Sequence, residues 1–163
     1  MEIRLARIDD RLIHGQVATV WTKETQVERI IVISDDVAKD EVRKTLLTQV
    51  AVAPPGVKAS VVDVQKGIRV YNNPKYATTP VMLLFTNPTD VLTLVEAGVN
   101  ITTVNIGGMA FREGKHMITN AVSVDETDEA AFRKLDEKGI ELEIRKVASD
   151  NKVKLIPLLD KDK

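Results

Sequence analysis

Short apolar runs rich in β-branched residues alternate with segments of helical periodicity along most of the chain. This alternation is typical of βαβ units, in which a helix crosses over from each strand to a parallel neighbour. It therefore predicts one open, doubly wound α/β domain that spans residues 1–163. The predicted strands are residues 2–8, 28–34, 57–63, 80–86, 102–107, 121–124 and 141–145.

The segments between these strands carry the start and stop signals of helices. Residues 35–51 are predicted as one helix, with Val42, Leu46 and Val50 on one face. The tail of the chain is predicted as a short helix or a frayed end. The remaining predicted helices are residues 15–25, 64–74, 87–98 and 125–139.

The charges of the chain nearly cancel, because 23 basic side chains stand against 24 acidic ones and leave a net charge of -1. A protein without a strong net charge has no bulk electrostatic attraction to nucleic acid or to an anionic membrane surface. No apolar run approaches the roughly 18 residues that a membrane-spanning helix needs. We therefore predict a cytoplasmic protein that neither binds nucleic acid nor inserts into a membrane.

The composition also limits the chemistry that the chain can use. It contains no cysteine, which excludes disulfides, thiolate metal sites and a cysteine nucleophile. Its two histidines, His14 and His116, are far apart in the sequence and have no ligand-spaced partner, so no metal site is predicted. The glycine-rich motifs of nucleotide-binding proteins do not occur, and no cofactor is expected.

The loops that follow the strands are the place to seek a functional site, because open parallel sheets bind ligands at the carboxyl ends of their strands. The first loop holds Asp10, Arg11, His14 and Gly15. We expect the later loops to converge with it on one rim of the sheet. Their polar and glycine residues include Ser34, Asp35, Thr86, Gly107 and Gly108.

His14 stands at the predicted start of the first helix, where unpaired N–H groups and the helix dipole favour an anion. A neutral imidazole can attack phosphorus, and phosphoryl transfer depends mainly on positioning and charge stabilisation. Asp10 is predicted to fix the tautomer of the ring, and Arg11 to neutralise the phosphate with its fork of donors. The residues alone also allow a cap or surface role for His14 and a plain tight bend at Gly107 and Gly108.

Several stretches of the chain resemble one known family. "RIDDRLIHGQV", "RIIVISDDVAKDEVRKTLL", "MLLFTNPTDVLTLVEAGV" and "TVNIGGMAFREGKHMITNAVSV" are similar to the IIB component of the mannose, fructose and sorbose type of the bacterial sugar phosphotransferase system. The resemblance covers about residues 2–146 and is most specific in "DRLIHGQV". It implies a mostly parallel seven-stranded sheet with helices on both faces.

By this resemblance the chain is a cytoplasmic phosphocarrier and a phosphotransferase. It is expected to accept a phosphoryl group from a histidine of the IIA component on His14. It then passes the group to a sugar bound by the membrane components IIC and IID. The resemblance also implies that the phosphoryl group leaves Nε2 of the IIA histidine and arrives on Nδ1 of His14.

The resemblance assigns roles to further residues. Asp10 and Arg11 match loop residues that flank the phosphorylated histidine. The positions that match the turn into the first helix and the rim around the phosphate are Gly15, Gln16, Ser34, Asp35, Thr86, Gly107 and Gly108. The partner protein is expected to dock on an exposed apolar patch formed by Leu12, Ile13, Met109 and Phe111.

Two other functions remain open. A receiver-like signalling domain, phosphorylated on an aspartate, has candidates in Asp9 and Asp10 after the first strand and in Asp63 after the third. The position where a receiver carries its lysine, however, holds Gly107 and Gly108. The remaining alternative is a non-catalytic interaction module, in which the rim serves only as a docking face.

Overall fold

The computed structural model describes residues 1–15, 17–49 and 57–161. Its strands are β1 (Glu2–Asp9), β2 (Arg29–Ile33), β3 (Lys58–Val62), β4 (Pro80–Phe85), β5 (Thr103–Gly108), β6 (His116–Met117), β7 (Ser123–Val124), β8 (Glu141–Ile144) and β9 (Val153–Lys154). Its α-helices are α1 (Thr22–Thr25), α2 (Asp35–Lys39), α3 (Glu41–Gln49), α4 (Val64–Asn72), α5 (Pro88–Glu96), α6 (Glu126–Glu137) and α7 (Ile156–Lys161). A π-helical turn, Val17–Trp21, leads directly into α1, and a 3₁₀ turn, Pro74–Tyr76, follows α4.

Seven strands form the central sheet in the order β3, β2, β4, β1, β5, β8 and β9. The first six run parallel, and β9 pairs antiparallel with β8. From β1 the chain crosses to β2, toward one edge of the sheet, whereas from β4 it crosses to β5, toward the opposite edge. Such a reversal opens a crevice at the carboxyl ends of the two neighbouring strands. The loop after β1 therefore lies where a ligand site is expected.

Alternate residues of the central strands contribute to two hydrophobic cores, one on each face of the sheet. In β4, Val81, Leu83 and Phe85 belong to the first core, whereas Met82 and Leu84 belong to the second. Helices α4, α5, α6 and α7 contribute buried side chains to the first core, and the π-helical turn, α2 and α3 contribute to the second. The predicted seven-stranded, mostly parallel sheet with helices on both faces is confirmed.

The helices begin at the side chains that the sequence indicated. Asn87 caps α5 by accepting a hydrogen bond from the Asp90 amide at 2.9 Å, and Pro88 occupies the first helical position. Asp125 and Asp128 form a reciprocal capping box at the start of α6. Within the ranges that the structure describes, no helix has the length and apolar character needed to cross a membrane.

One predicted strand is assigned to the wrong sheet. The strand predicted at residues 121–124 does not join the central sheet, since β7 pairs with β6 in a separate two-stranded sheet. The seventh strand of the central sheet is β9, which lies in the tail that was predicted as a helix or a frayed end. A two-residue strand carries too little periodicity to be recognised from its sequence.

The helix predicted at residues 35–51 is interrupted at Asp40. The Asp40 carboxylate accepts a hydrogen bond from the Arg43 amide at 3.0 Å, so it caps α3 as a separate helix. As a result, Leu47 is buried in α3, whereas Val42 and Leu46 are exposed. Val50 lies outside the described residues.

The two cores lead to a stability prediction with a matched control. Phe132 of α6 is fully buried, whereas Phe111 is 63% exposed. We expect Phe132→Ala to lower the free energy of unfolding by about 3–5 kcal/mol, because it leaves a cavity in the first core. Phe111→Ala is expected to change it by less than about 0.5 kcal/mol. Urea unfolding of both variants measures the difference, and equal losses would contradict the assigned packing.

Candidate functional site

The central strand of the sheet ends in a buried acidic side chain, Asp9. Arg7 and Asp9 are two residues apart in β1, so both side chains lie on the face of the sheet that carries the second core. Both are fully buried, and Nη2 of Arg7 lies 3.1 Å from Oδ2 of Asp9. An ion pair this deep requires further hydrogen bonds to offset its desolvation.

The Asp9 carboxylate accepts those further hydrogen bonds from the loop that follows it. Arg11 donates from its backbone amide and from Nε to Oδ1, at 3.1 and 3.0 Å, and from Nη2 to Oδ2 at 2.9 Å. Nε2 of His14 lies 3.1 Å from Oδ2. Asp9 therefore connects the buried Arg7, the half-exposed Arg11 and the partly buried His14.

The loop returns to Asp9 because its two apolar residues are anchored in the protein. The Leu12 amide donates to the Asp9 carbonyl at 2.9 Å, which closes a tight turn, and Leu12 adopts a positive φ of 60°. The side chains of Leu12 and Ile13 are buried in the second core. A left-handed conformation at a leucine is unfavourable by itself, and this burial compensates for it.

Besides Asp9, the Arg7 side chain donates hydrogen bonds to several other groups. Its Nη1 donates to Oδ1 of Asn105 and, at 3.0 Å, to the Arg145 carbonyl, and its Nη2 donates to the Lys146 carbonyl at 2.9 Å. Its guanidinium carbon lies 4.9 Å from the centre of the Trp21 ring. Arg7 thus ties β1 to β5, to the π-helical turn and to the segment after β8.

Gly107 provides the space that the Arg7 guanidinium occupies. A Cβ atom at this position of β5 would overlap Nη2 and the guanidinium carbon of Arg7. Gly108 lies further along the same strand, and a Cβ there would approach Oδ1 of Asp9 at 3.4 Å. The lack of a side chain at Gly107 is thus a packing requirement of the buried cation.

The electrostatics of the site keep Asp9 ionised. Burial acts to raise the pKa of Asp9, but hydrogen bonds from Arg11 and His14 and the charge of Arg7 outweigh it, so the pKa is lowered. The hydrogen bond with Asp9 raises the pKa of Arg11. Burial lowers the pKa of Arg7, which Asp9 partly offsets, and a guanidinium stays protonated.

An ionised Asp9 determines which nitrogen of the His14 ring carries the proton. A carboxylate is an acceptor only, so Nε2 of His14 donates to Oδ2. In the neutral ring, Nδ1 then holds the lone pair. The arrangement presents Nδ1 as a nucleophile or general base at the carboxyl end of β1.

The prediction that Asp10 orients the His14 ring is wrong. Oδ2 of Asp10 accepts a hydrogen bond from the Ala110 amide at 2.7 Å, which ties the first loop to the segment after β5. The carboxylate that binds the His14 ring belongs to Asp9. It points toward the second core because β1 continues one residue further than predicted. Arg11 lies beside His14 through their common partner Asp9.

The other residues predicted on the rim have structural contacts of their own. Ser34 is buried and caps α2 by accepting from the Val37 amide at 3.3 Å. Asp35 accepts from the Val64 amide at 2.9 Å, and the Thr86 hydroxyl accepts from the Asn87 side chain at 3.1 Å.. Gly15 is exposed, and Gln16 lies outside the described residues.

Two clefts open on this rim. Ser34 and Thr86 line a cavity of about 230 Å³ with Asp10, and its remaining lining includes Arg43, Arg112 and Lys115. Asp10 and Arg11 line a second cavity of about 290 Å³ with Gly107 and Gly108. The structure therefore brings the predicted loops to one rim, although His14 forms its hydrogen bond with Asp9 and, within the described ranges, with none of the rim residues that follow the later strands.

The predicted docking patch is mostly wrong. Leu12, Ile13 and Met109 are all buried, because they pack into the two cores and anchor the loops. Of the four predicted residues, Phe111 is exposed. The sequence does not show whether an apolar side chain in a polar loop is buried in the core or exposed to solvent.

Sequence reasoning assigned no role at the site to Arg7, Asn105 or Trp21, and it considered Asp9 only as a phosphorylated aspartate of the receiver-like alternative. One signal was available: Arg7 and Asp9 alternate with apolar residues in a strand that is otherwise buried, which is typical of a polar pair on one face. The partners in β5 and after β8 are remote in the sequence and carry no local signal. Over the ranges that the structure describes, His, Asp and Glu side chains form no group of three or more that could hold a metal ion.

These features define a doubly wound α/β protein with a partly buried histidine held by a carboxylate at the end of its central strand. Residues 3–163 match the family described as "PTS system sorbose subfamily IIB component". The chain belongs to this family of the sugar phosphotransferase system.

Curated relatives and solved structures agree with this assignment. The chain is 71% identical over 161 residues to the "PTS system mannose-specific EIIAB component" of Escherichia coli, covering 99% of this chain and 49% of that protein. It is 57% identical over 156 residues to the "PTS system sorbose-specific EIIB component" of Klebsiella pneumoniae, covering 96% and 94% of the two chains. The chain thus spans about half the length of the mannose-specific relatives.

The fold is also similar to that of a solved structure from the family. The crystal structure of the IIBSor domain of the sorbose permease from Klebsiella pneumoniae superposes with a TM-score of 0.96 at 55% sequence identity. The match covers 100% of this chain and 99% of the other.

The two adjacent aspartates give a sharp test of the site. We expect Asp9→Asn to lower the free energy of unfolding by about 3–5 kcal/mol at pH 7, because it leaves Arg7 buried without its counter-ion. Asp10→Asn keeps a carbonyl oxygen for the Ala110 amide and is expected to cost less than about 1 kcal/mol. Urea unfolding at pH 7 measures both, and equal costs would contradict the assignment.

The lowered pKa of Asp9 also predicts a dependence on pH. A carboxyl group with a depressed pKa stabilises the fold above its unfolded pKa of about 3.9, and this contribution is lost as the pH falls through the folded pKa. The stability difference between the unmodified protein and Asp9→Asn should therefore be largest near neutral pH and shrink below about pH 4. Urea unfolding over this range checks it, and a constant difference would show that the Asp9 charge does not stabilise the fold.

Proposed function

We propose that this chain is a cytoplasmic phosphocarrier of a sugar phosphotransferase system, with residues 1–163 forming a single IIB domain and His14 as the residue that carries the phosphoryl group. It accepts the group from a histidine of the IIA component and passes it to a sugar at the membrane components IIC and IID. The observation that carries the proposal is the hydrogen bond between Nε2 of His14 and the ionised Asp9, which leaves Nδ1 free. Family membership and the relatives named for mannose and sorbose support the sugar class.

The proposed step is a direct displacement at phosphorus. The lone pair on Nδ1 of His14 forms the new N–P bond, while the bond between phosphorus and the donor imidazole breaks and its electrons return to the donor nitrogen. The His14 ring then carries the phosphoryl group on Nδ1 and a proton on Nε2, and Asp9 offsets the positive charge of the ring. In the second transfer, a sugar hydroxyl oxygen forms the new bond to phosphorus, the bond to Nδ1 breaks with its electrons returning to the ring, and the hydroxyl proton is released to solvent.

Arg11 is suited to the phosphoryl group itself. Its side chain is 47% exposed although it bonds to Asp9, and a guanidinium binds two phosphate oxygens at once. A modest movement from Asp9 brings its charge to the group on Nδ1. This role differs from that of Arg7, which has no exposed surface.

Two findings weigh against a receiver-like domain. Receiver domains have the strand order 2-1-3-4-5, whereas here β1 lies between β4 and β5. The aspartates suggested for phosphorylation are also engaged: Asp9 is buried with Arg7, and Asp63 caps α4 by accepting from the Lys66 amide at 2.7 Å. A non-catalytic interaction module would have no need for the hydrogen bond with Asp9 that orients the His14 ring.

The two histidines of the chain provide a matched test of the phosphocarrier. With phosphorylated IIA protein as donor, we expect His14→Gln to lose incorporation of radioactive phosphate, because it removes the imidazole that Asp9 orients. His116→Gln is expected to keep it, since His116 is exposed in β6. The label should survive alkali and be lost in acid, as phosphohistidine does. Alkali-stable labelling of His14→Gln would overturn the proposal.

Phe111 is the predicted docking residue that stays exposed. It follows Ala110, whose amide binds Asp10, so its backbone is close to the first loop, and its side chain is exposed. We propose that it contacts the phosphorylated donor, because exposed aromatic side chains contribute most to transient interfaces.

We expect Phe111→Ala to raise the KM for the phosphorylated donor at least about fivefold, which corresponds to roughly 1 kcal/mol of lost contact. The kcat should stay close to that of the unmodified protein, because Phe111 has no contact with His14 in the structure. Single-turnover phosphoryl transfer at increasing donor concentration measures both constants. An unchanged KM would remove Phe111 from the interface.

A further inference from the structure

We propose that Arg7 is a positioning residue for phosphoryl transfer: it is the permanent counter-ion of Asp9 and keeps this carboxylate on Nε2 of His14 when Arg11 moves to the phosphate. The inference rests on the proposed function, because it assigns Arg11 to the incoming phosphoryl group. Of the two arginines that bind Asp9, Arg7 stays in place and Arg11 changes its partner from Asp9 to the phosphoryl group.

The surroundings of Arg7 leave it no freedom to move. Its guanidinium donates to four groups at once, Asp9, Asn105 and the carbonyls of Arg145 and Lys146, so any displacement breaks several hydrogen bonds of a buried cation. The Trp21 ring covers it at 4.9 Å, and β5 approaches so closely at Gly107 that not even a methyl group fits.

Arg11 is held much less firmly. Its side-chain hydrogen bonds in the described residues all go to Asp9, and 47% of the side chain is exposed to solvent. Water can replace the carboxylate as its partner, so turning it toward a phosphate costs little desolvation. If Arg7 were absent, the departure of the Arg11 side chain would leave the buried Asp9 carboxylate with two partners: the His14 ring and the Arg11 backbone amide.

The consequence for the reaction concerns the second nitrogen of the ring. A fixed carboxylate on Nε2 keeps the proton there and the lone pair on Nδ1, both before and after Arg11 has moved. The pKa of Asp9 is lowered partly by the charge of Arg7, which supports the same conclusion. Arg7 thus acts through Asp9 and touches neither the ring nor the phosphoryl group.

The experiment follows the Nε2–H proton of His14 by ¹H–¹⁵N NMR in the unphosphorylated protein, in an Arg11→Met background that mimics the departure of Arg11. We expect Arg11→Met alone to keep this proton protected from solvent exchange within about threefold of the unmodified protein. Adding Arg7→Met should speed its exchange at least about tenfold, since a hydrogen bond to a charged group contributes about 1.5–3 kcal/mol.

Arg145 supplies the matched control. Its guanidinium carbon also lies over the Trp21 ring, 5.0 Å from the ring centre, but its side chain bonds to the Ala148 carbonyl and to Glu143 rather than to Asp9. Adding Arg145→Met to the Arg11→Met background should therefore leave the exchange of the His14 proton unchanged. Equal acceleration by Arg7→Met and Arg145→Met would reduce Arg7 to a packing residue and overturn the proposal.

Two further variants cover a failure of the double variant to fold. Gly107→Ala keeps the charge of Arg7 and displaces its guanidinium from Asp9, so it should accelerate the exchange in the Arg11→Met background as well. Arg7→Lys should restore part of the protection, because it returns a positive charge to the carboxylate. Full protection in Gly107→Ala, or loss of protection in Arg11→Met alone, would each overturn the proposal.

The outcome is separate from that of the phosphocarrier test, because no phosphoryl donor is present. If labelling persists in His14→Gln while Arg7 still controls the His14 proton, the proposed function fails and the coupling of Arg7 to the ring stands. If labelling requires His14 but Arg7 has no effect on the proton, the phosphocarrier stands and Arg7 is not a positioning residue.

Discussion

The buried ion pair between Arg7 and Asp9 is the interaction on which the site depends. Two charges removed from water cost several kcal/mol each unless every donor and acceptor is paired. The structure brings the Asn105 side chain and two carbonyls after β8 to the two terminal nitrogens of the guanidinium, which occupies the space beside Gly107, and in the described residues it leaves only Nε of Arg7, among the polar atoms of this ion pair, without a partner. The pairing of one buried cation thus constrains three separate parts of the chain: β1, β5 and the segment after β8.

This constraint also organises the chemistry. Because Asp9 is held in place, the His14 ring that binds it through Nε2 has a defined tautomer, with the lone pair of the neutral ring on Nδ1. The buried side chains of Leu12 and Ile13 anchor the loop between Asp9 and His14 in the second core. The site thus combines a buried, fixed pair, Arg7 and Asp9, with a half-exposed Arg11, a combination that suits the proposed transfer of a phosphoryl group.

The sequence allowed several features to be predicted because their causes are local. The caps of α5 and α6 depend on side chains within three residues, and the two periods of apolar residues distinguish strands from helices. The location of His14 followed from its position after the first strand. The pairing of the ring with Asp10 was wrong by one residue, because a strand turns successive side chains to opposite faces and the end of β1 decided which aspartate points inward.

The amino-acid order alone was sufficient for the α/β class, for the loop that carries the histidine and for the resemblance to the IIB family, since these depend on local periodicity and on contiguous motifs. Only the tertiary structure decided that Asp9 holds the ring, that Leu12 and Ile13 point inward and that Gly107 makes room for Arg7. The first two depend on which side chains the second core buries, and the third on the contacts of Arg7 with Asn105 and Arg145, which lie 98 and 138 residues away in the sequence.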